Sequence, residues 1–421
     1  MSTETQTCDV LIVGGGMAGA SLALALAPSG LRVTLIEAQP FVEQPTAAYD
    51  DRGIALAWGS QRILEGLGLW SELAQEATPI RQIHVSDAGH FGFTRLHADE
   101  EGVPALGQVV TGRILGRALQ QALQQQEGIR VIAPATLTHF AQGDGTVMAE
   151  VVDAKGATQK WQASLLVAAD GGNSPIRAQL VEQGRITLQQ REYDQHAIVA
   201  NVTPGKSHQN VAYERFTDQG PLAFLPLADV EGQPRMALVW TATAERRDAL
   251  LALSDVEFLA ALQDKFGGRL GRLQRVGVRK SYPLQMLRAE QSVAGRVVLI
   301  GNAAHTLHPV AGQGFNLGLR DVAWLVEILR DAQADGQDIG ADAVLQCYEQ
   351  KRVGDQARTA DFTDTLVRVF THPALPVRVG RSTGLLAMEL VAPMRHALAK
   401  RNLGLNGPLP RLLRGLKLDA A

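Results

Sequence analysis

The chain has few cysteines, few aromatic residues and no excess of charge of either sign. Its 421 residues include 2 cysteines, Cys8 and Cys347, which lie far apart and form no CxxC motif. Neither a disulfide framework nor a zinc site is supported, and a reducing, cytoplasmic location is expected. Lysine and arginine total 40 against 43 aspartates and glutamates, so the overall charge does not favour a nucleic-acid partner.

An uninterrupted membrane-spanning run is also missing near the N-terminus. The uncharged segment from Val10 to Ala27 contains three consecutive glycines and follows Glu4 and Asp9 instead of a basic region. A signal peptide and a membrane span are both poor interpretations of such a segment. With 46% hydrophobic residues, a chain of 421 residues is long enough for two domains with separate cores.

The same segment fits a strand, a glycine turn and a helix. Its features are an apolar run over residues 8–13, the GxGxxG glycines Gly14, Gly16 and Gly19, a helical stretch over 18–27, and a second apolar run over 31–36. The first glycine turns the chain, the second lets a pyrophosphate approach the backbone, and the third allows close packing of the helix. Glu37 ends the second run, where a carboxylate accepts hydrogen bonds from a ribose and repels a 2′-phosphate. FAD or NAD is therefore expected; a glycine-rich turn in an ordinary α/β domain is the alternative.

A second glycine-rich stretch, GNAAHTLHPVAGQGFNLGLRD, runs from Gly301 to Asp321 after a strand-like run over 297–300. Its loop is predicted to open a helix at Gly314, so that backbone N–H groups point at a planar acceptor. Reduced flavin is negatively charged at its N1 and C2 carbonyl edge, which a helix start stabilises. The sequence has no second strand–GxGxxG–helix unit. FAD is therefore favoured over NAD as the tightly bound dinucleotide.

These two stretches, together with DGGNSPIR over 170–177, resemble the single-component FAD-dependent aromatic hydroxylases related to p-hydroxybenzoate hydroxylase. The resemblance is to the ubiquinone-biosynthesis hydroxylases, nearest to the 2-polyprenyl-6-methoxyphenol hydroxylase branch, and extends from Asp9 to about Leu405. The family pattern GDAAHxxxPxxGQGxNxGxxD is matched at every fixed position but one, where Asn302 replaces Asp. That branch shares the replacement, which keeps an acceptor and removes a negative charge beside the pyrophosphate.

The resemblance implies an α/β fold with a Rossmann-like FAD-binding domain of the glutathione-reductase type and a β-rich substrate domain, as in p-hydroxybenzoate hydroxylase. The implied division is residues 1–75, 104–182 and 284–365 for the FAD-binding domain, 76–103 and 183–283 for the substrate domain, and 366–421 for a C-terminal helical basic region.

Residue by residue, the resemblance also implies which positions hold FAD. They are Gly14, Gly16, Met17, Ala18, Gly19, Glu37, Arg52, Arg113, Asp170, Gly301, Asn302, Pro309, Gly312, Gln313, Gly314 and Asn316. For the two arginines, a solvated side chain is the alternative. Part of DGGNSPIR is explained by folding alone, since Ser174 and Pro175 suit the N-cap and first position of a helix.

His305 and His308 are spaced like metal ligands, but no carboxylate or cysteine completes a ligand set in the nearby sequence. No metal is expected, and His305 is expected at the mouth of the flavin pocket.

The implied reaction is monooxygenation of an aromatic ring. Flavin reduced by NADPH or NADH reacts with O2 to give a C4a-hydroperoxide, an electrophilic oxygen donor suited to electron-rich phenols. The implied substrate is a polyprenyl phenol of ubiquinone biosynthesis, 2-polyprenyl-6-methoxyphenol. A catalytic base is not selected among Tyr213, His196 and Tyr282. Residues expected to contact the substrate are Leu222, Phe224, Pro226 and Tyr282, with plain sheet core as the alternative.

The C-terminal region is rich in basic residues. From Thr371 onward, eight basic residues face only two acidic ones, Glu389 and Asp419. The basic residues are Arg378, Arg381, Arg395, Lys400, Arg401, Arg411, Arg414 and Lys417. Because each basic residue near an anionic bilayer contributes about 1 kcal/mol, peripheral contact with the inner membrane or with a biosynthetic assembly is expected. A solvated basic tail is the alternative.

Two other functions remain open from the sequence. One is the same chemistry at another ring position of a ubiquinone precursor or on a small soluble phenol, for which Arg215 would bind a carboxylate. The other is a non-catalytic flavoprotein scaffold.

Overall fold

The computed structural model describes residues 5–41, 51–143, 145–372 and 374–416. Its strands, in chain order, are β1 (Gln6–Val13), β2 (Val33–Ile36), β3 (Gly53–Ala57), β4 (Thr78–Ile80), β5 (Gln82–Asp87), β6 (Phe93–His97), β7 (Gly107–Thr111), β8 (Ile129–Ile132), β9 (Ala135–Gly143), β10 (Thr146–Asp153), β11 (Thr158–Ala168), β12 (Leu188–Thr203), β13 (Val211–Thr217), β14 (Gly220–Val230), β15 (Gln233–Thr243), β16 (Arg275–Val276), β17 (Lys280–Ala289), β18 (Val293–Ala294), β19 (Val297–Leu299) and β20 (His305–Thr306). Its α-helices are α1 (Met17–Leu26), α2 (Trp58–Gly66), α3 (Trp70–Leu73), α4 (Gly112–Gln125), α5 (Pro175–Glu182), α6 (Ala244–Ala252), α7 (Asp255–Phe266), α8 (Gln313–Ala334), α9 (Asp342–Thr371), α10 (Leu375–Leu390) and α11 (Ala392–Asn402).

The first sheet is the parallel sheet that the glycine turn predicts. Its order is β18-β19-β11-β1-β2-β8, parallel from β19 to β8, and β9 and β10 extend it as an antiparallel hairpin beside β11. Val10 and Ile12 of β1 pack into a core with α1, α4 and α8, while Leu11 and Val13 pack into a second core on the other face. A strand buried on both faces explains the continuous apolar run in the sequence.

The second sheet is almost wholly antiparallel, in the order β20-β17-β12-β15-β14-β13-β5-β6, with β16 beside β12. Helices α6 and α7 cover one of its faces, which we call the outer face, where Trp240 packs on Phe258 and Phe224 on Phe266. The opposite, inner face is turned toward the first sheet. A three-stranded sheet, β3-β7-β4, lies against the inner face through Val109, Leu227 and Ala237.

The predicted elements agree with the fold. A helix over 18–27 corresponds to α1, Ser174 caps α5 by accepting a hydrogen bond from the backbone N–H of Arg177, and the fold class is confirmed. The predicted division into domains stays a prediction; β17 continues across its boundary at residue 284, and β4 pairs with β7.

The C-terminal region forms helices that pack on the body of the chain. Its basic side chains reach distant acids: Arg381 lies 2.9 Å from Asp87, Arg395 lies 2.9 Å from Glu100, and Arg411 lies 2.6 Å from Asp331. A solvated basic tail is therefore wrong for these three arginines. Lys417 and Asp419 lie outside the described residues. None of the helices in the described ranges combines the length and the apolar composition that a membrane-spanning segment requires.

Candidate active site

The first glycine loop joins β1 to α1 at the carboxyl edge of the parallel sheet. Gly14 has φ +103, a conformation that side chains rarely adopt, and its N–H donates to the carbonyl of Ile36 at 2.8 Å. A Cβ at Gly19 would lie 1.9 Å from the Gly14 carbonyl oxygen, so the third glycine permits close packing. A Cβ at Gly16 would meet no atom within 4 Å. The backbone is therefore open at Gly16, where α1 begins.

Glu37 follows β2 and lies beside this loop. Its Oε2 accepts a 2.6 Å hydrogen bond from the N–H of Gly15, and its Oε1 accepts one of 2.7 Å from the N–H of Gln39. The carboxylate is thereby held next to the first glycine turn, where the proposed ribose contact requires it.

The segment DGGNSPIR is hydrogen-bonded to the start of the second glycine loop. Arg177, which is buried, donates through Nη1 to the carbonyl of Ala303 at 3.0 Å and through Nη2 to that of Gly172 at 2.5 Å. Sequence reasoning assigned no role to Arg177, since its acceptors are backbone carbonyls that no motif reveals. This arginine holds DGGNSPIR against the start of the second loop.

Asp170 lies directly after β11, between the two loops. Its Oδ1 is buried and has no hydrogen-bond partner among the described residues, and its Oδ2 is 3.5 Å from the N–H of Ile176. Burial raises the pKa of this carboxyl above its ordinary value. An unsatisfied buried carboxylate oxygen is costly, and a ligand hydroxyl would satisfy it.

The second glycine loop leads into α8. Gly312, with φ +59, is the N-cap residue, and the helix begins at Gln313, one residue before the predicted Gly314. A Cβ at Gly314 would meet no atom within 4 Å, so space is open in front of the first helical turn. A Cβ at Gly301 would lie 3.0 Å from the Cβ of Ala18 in α1. The two glycine loops therefore adjoin, although nearly 300 residues separate them in the sequence.

The side chain of Asn316 fixes this helix start to β3. Its Oδ1 accepts from the N–H of Ala57 at 2.8 Å, and its Nδ2 donates to the carbonyls of Ala55 at 3.0 Å and Gly312 at 2.7 Å. The carboxamide is thus used within the protein, and only the backbone of Asn316 remains for the proposed cofactor contact. Two other residues of this loop that were expected to bind FAD are more accessible: Asn302 is exposed and Pro309 is half-buried.

The two arginines assigned to FAD differ in their surroundings. Arg113 donates through Nε to Oδ2 of Asp51 at 2.8 Å and is mostly buried at the start of α4. Arg52 is exposed, and its guanidinium carbon lies 5.8 Å from the centroid of the Tyr282 ring. Arg113 therefore belongs to an ion pair, while Arg52 lies at the solvent edge of the site.

The expectation that His305 lies at the mouth of a flavin pocket is wrong. Its side chain is fully buried, and its Nε2 lies 2.6 Å from Oδ2 of Asp321 in α8. His308 is also fully buried, and burial lowers its pKa to about 4. Among the described residues, no group of three or more His, Cys, Asp and Glu is arranged to hold a metal.

The expected substrate contacts lie on different faces of the second sheet. Leu222 and Phe224 are fully buried on the outer face, in the core with α7, which corrects their assignment in favour of plain sheet core. Pro226 pairs with Met236 of the same outer-face core. Only Tyr282, opposite Ala197 and 43% exposed, is on the inner face.

Two of the three candidate bases also lie away from the inner face. Tyr213 packs edge-on against Phe266 at 5.3 Å, and burial raises its pKa. His196 pairs with Ala242, a residue of the outer-face core.

The inner face carries a row of small side chains that sequence reasoning missed. Val199, Val239 and Ala223 are directly opposite one another on β12, β15 and β14, and each is only half-buried although its strand is central. Glu214 continues this row on β13, opposite Ala223. Strand alternation over residues 222–224 contained the signal, because it places Ala223 on the face opposite to that of Leu222 and Phe224.

These observations fit FAD. The glycine loops adjoin and are open at Gly16 and Gly314, Glu37 lies beside the first loop, and the buried Oδ1 of Asp170 has no hydrogen-bond partner among the described residues. A dinucleotide would have its pyrophosphate at the start of α1 and its ring edge at the start of α8.

Comparison with known proteins decides the family. The FAD binding domain family matches residues 7–363. Ubiquinone hydroxylase UbiL of Rhodospirillum rubrum is 39% identical over 418 residues, which are 98% of this chain and 94% of that protein. The chain belongs to the FAD-dependent aromatic hydroxylases. This hydroxylase is also similar to 3-demethoxyubiquinol 3-hydroxylase of Escherichia coli, at 32% identity over 404 residues, covering 95% of this chain and 99% of the relative.

A solved structure supports the fold of the hydroxylase. The p-nitrophenol 4-monooxygenase PnpA from Pseudomonas putida superposes with a TM-score of 0.76 at 19% identity, covering 96% of this chain and 99% of that one. The expected FAD cofactor and hydroxylase activity are confirmed, and NAD(P)H is the reductant typical of the class. Membership of an enzyme family also removes the reason to prefer a non-catalytic scaffold.

Proposed function

We propose that this hydroxylase acts on the aromatic ring of a polyprenyl phenol in ubiquinone biosynthesis, with 2-polyprenyl-6-methoxyphenol as the leading substrate. The names of the relatives from Rhodospirillum rubrum and Escherichia coli support the pathway. The shared replacement of Asp by Asn302 supports the narrower substrate.

The observation that carries this proposal is the alternation of β13. Phe216 is on the inner face, where it packs with Val310 of the second glycine loop. Arg215 is on the outer face, where its Nε donates to the carbonyl of Lys265 at 2.9 Å. Arg215, the cation expected to bind the carboxylate of a small soluble phenol, is therefore not on the inner face, where the aromatic ring of Phe216 lies instead. A neutral, apolar ring is therefore favoured over the small soluble phenol.

The chain's own residues then have distinct tasks. The N-terminus of α8 and the N–H groups of the first loop would hold the negative charge of FAD, which would supply hydride acceptance and oxygen transfer when bound. The inner face holds the phenol ring through Val199, Val239 and Ala223 and excludes water from it. Glu214, in the same row, is the candidate to accept the hydrogen bond or proton of the phenol hydroxyl.

Two measurements test the proposal. Deleting the gene is expected to cause accumulation of 2-polyprenyl-6-methoxyphenol, and accumulation of a different precursor would move the reaction to another ring position. Purified holoenzyme supplied with NADPH or NADH, O2 and a short-chain 2-polyprenyl-6-methoxyphenol should add one oxygen atom to that phenol. Flavin oxidation that releases only hydrogen peroxide with every quinone precursor would contradict the proposal.

Contact with a membrane or a biosynthetic assembly is part of the same proposal, because a polyprenyl chain favours lipid by about 0.8 kcal/mol per buried CH2. The internal ion pairs of Arg381, Arg395 and Arg411 leave less free charge in the C-terminal region than its composition suggests. Any such contact needs a more specific surface than a basic tail.

A further inference from the structure

A cavity of about 450 Å³ opens at the end of the second sheet, beside the carboxyl ends of β5 and β13. Its walls come from the turn after β5, the ends of α7 and α9, and the start of α10. Phe370 lines it and stacks on Phe216 with ring centroids 3.6 Å apart, and Phe216 in turn packs against Val310. An apolar layer therefore separates this cavity from the proposed FAD site, so the cavity is not part of that site.

The cavity is lined mainly by cations. It contains Arg215, Lys265, Arg378 and Arg381, against the carboxylates Asp218 and Asp264. Two of these cations have acidic partners: Arg381 lies 2.9 Å from Asp87, and Lys265 lies 3.4 Å from Asp218.

The other two cations, Arg215 and Arg378, form no salt bridge with any residue in the described ranges. Arg215 donates to the carbonyl of Lys265 and, at 3.4 Å, to the hydroxyl of Ser86, while Arg378 lies 3.1 Å from Nε2 of His90. Burial and the neighbouring Arg269 lower the pKa of Arg215. Two guanidinium groups therefore face a cavity that offers them no carboxylate at contact distance, which suits an anion with several oxygen atoms.

The outward side of α10, beside this cavity, is apolar. The exposed positions of the helix are Leu375, Pro376, Val379, Gly380, Thr383 and Leu390, and none of them is charged. An ordinary surface helix has its charged residues on the solvent side. In α10 this arrangement is reversed. The charged Arg378 and Arg381 line the cavity, while the apolar Leu375 is 68% exposed and Val379 is 50% exposed.

Further exposed apolar side chains lie on the segments next to the helix. Phe91, on the turn that forms one wall of the cavity, is 61% exposed. Past the end of α10, Val391 is 43% exposed and Met394 is 47% exposed. Together with Leu375, Val379 and Leu390 these residues form an apolar rim, and large exposed apolar surfaces beside cations mark a contact with another phase or molecule.

We propose that this face docks on an anionic lipid bilayer, with the cationic cavity taking the phosphate of a lipid headgroup and the apolar rim entering the boundary of the acyl chains. A free phosphate would satisfy Arg215 and Arg378 but would leave the rim in water. A bilayer with anionic headgroups satisfies both features at once, because a phosphate and an apolar layer lie side by side at its surface. The inference rests on the membrane contact in the proposed function, but it concerns a surface separate from the active site and does not depend on which phenol is hydroxylated.

Binding of the FAD-loaded, full-length protein to vesicles tests this surface. Vesicles of phosphatidylcholine with phosphatidylglycerol should bind the protein, and vesicles of phosphatidylcholine alone should bind it much less. The double variant Lys265→Gln, Arg378→Gln should bind anionic vesicles about twenty-five-fold more weakly, since each basic side chain at an anionic surface contributes about fivefold. The double variant Leu375→Ser, Val379→Ser should also bind weakly, at unchanged charge.

Matched controls separate this surface from general effects of charge or hydrophobicity. Lys155 and Lys160 are exposed on the hairpin of β10 and β11, and their double change to Gln should leave binding unchanged. Val256 and Val278 are 78% and 59% exposed, and their double change to Ser should also leave it unchanged. Retained flavin absorbance and an unchanged thermal unfolding midpoint verify that each variant is folded.

Three results would overturn the inference. The first is equal binding of the protein to anionic and neutral vesicles, or to neither. The second is binding of inorganic phosphate, measured by calorimetry and lost in Lys265→Gln, Arg378→Gln, without vesicle binding, which would identify a site for free phosphate. The third is loss of self-association in Leu375→Ser, Val379→Ser without vesicle binding, which would assign the rim to a second copy of the chain.

Discussion

Asp321 and His305 lie in contact beneath the second glycine loop, with Oδ2 and Nε2 2.6 Å apart and both side chains fully buried. The same carboxylate accepts a hydrogen bond from the N–H of Gly301 at 3.0 Å, from Nε of Arg352 at 2.8 Å and from Nε2 of Gln356 at 3.0 Å. Burial opposes ionisation of Asp321, but His305 and Arg352 outweigh it and hold its pKa well below the ordinary value. One buried carboxylate thus joins the loop to α8 and α9.

Replacing Asp321 by Asn should destabilise the protein by about 3–5 kcal/mol, because the buried Arg352 would keep only Asp355 as an acidic partner and the buried His305 would lose its own. Urea unfolding of the variant and the wild type measures this difference. The matched control is Asp331→Asn on the same helix, where the acid pairs with Arg411 but is 49% exposed. That change should cost less than about 1 kcal/mol. Equal costs for the two variants would show that the buried contacts do not stabilise the fold.

Acid should remove the stability that Asp321 contributes. The pKa of its carboxyl is lower in the folded than in the unfolded chain, where it is about 3.9. The contribution is therefore complete above about pH 4 and is lost as the pH falls toward the folded pKa. Unfolding free energies measured across this range should converge for the wild type and Asp321→Asn, and a constant difference between them would contradict the linkage.

Gly16 and Gly19 should respond differently to alanine. Gly16 has φ −64, which alanine adopts readily, and an added Cβ meets no atom, so Gly16→Ala should fold with nearly unchanged stability. Its methyl group would occupy the space expected for the pyrophosphate, and FAD affinity should fall at least about tenfold, which is about 1.4 kcal/mol. Gly19→Ala should destabilise the apoprotein itself, because its Cβ would clash with the Gly14 carbonyl. Titration of FAD and unfolding of the apoproteins distinguish the two effects; wild-type FAD affinity in Gly16→Ala would contradict the assignment of the loop.

Structural features that depend only on residues adjacent in the sequence were predictable. The turn at Gly14, the cap at Ser174 and the helix α1 follow from local residue preferences. The contact of His305 with Asp321 and the three hydrogen bonds of Asn316 to α8 and β3 were not predictable. They depend on how the second loop packs on α8, α9 and β3, about which local patterns carry no information.

The faces of β14 show a second limit. Alternation separates Leu222 and Phe224 from Ala223 and Leu225, but it does not say which pair faces the active site. The bulky pair fills the core against α7, and the face with the smaller Ala223 retains open surface. The ion pairs of Arg381 and Arg395 could not be predicted for a related reason, because Asp87 and Glu100, which neutralise them, are far away in the sequence.

Asp170→Asn should weaken FAD binding without lowering the stability of the apoprotein. In the apoprotein the carboxylate is buried with Oδ1 unpartnered among described residues, so the neutral amide should leave stability unchanged or raise it by about 1–2 kcal/mol at neutral pH. Burial raises the pKa of Asp170 in the folded protein above its value in the unfolded chain. The ionised carboxyl therefore destabilises the wild type fully above the folded pKa, and this destabilisation disappears as the pH falls below it toward the unfolded pKa. FAD should bind the variant more weakly. A variant that is less stable as apoprotein and binds FAD normally would show a structural role alone.

The assignment of the inner face can be tested by filling it. Ala223 is half-buried between Val239 and Glu214, so Ala223→Phe should occupy the space for the phenol ring and lower kcat/KM at least about tenfold, with FAD content unchanged. Arg215→Gln, on the neighbouring strand but on the outer face, is the matched control and should leave hydroxylation of a short-chain phenol in solution unchanged. The opposite outcome, with Arg215→Gln raising KM and Ala223→Phe fully active, would place the substrate on the outer face. In that case a substrate carboxylate bound by Arg215 would become the better explanation, and the neutral polyprenyl phenol would have to be abandoned.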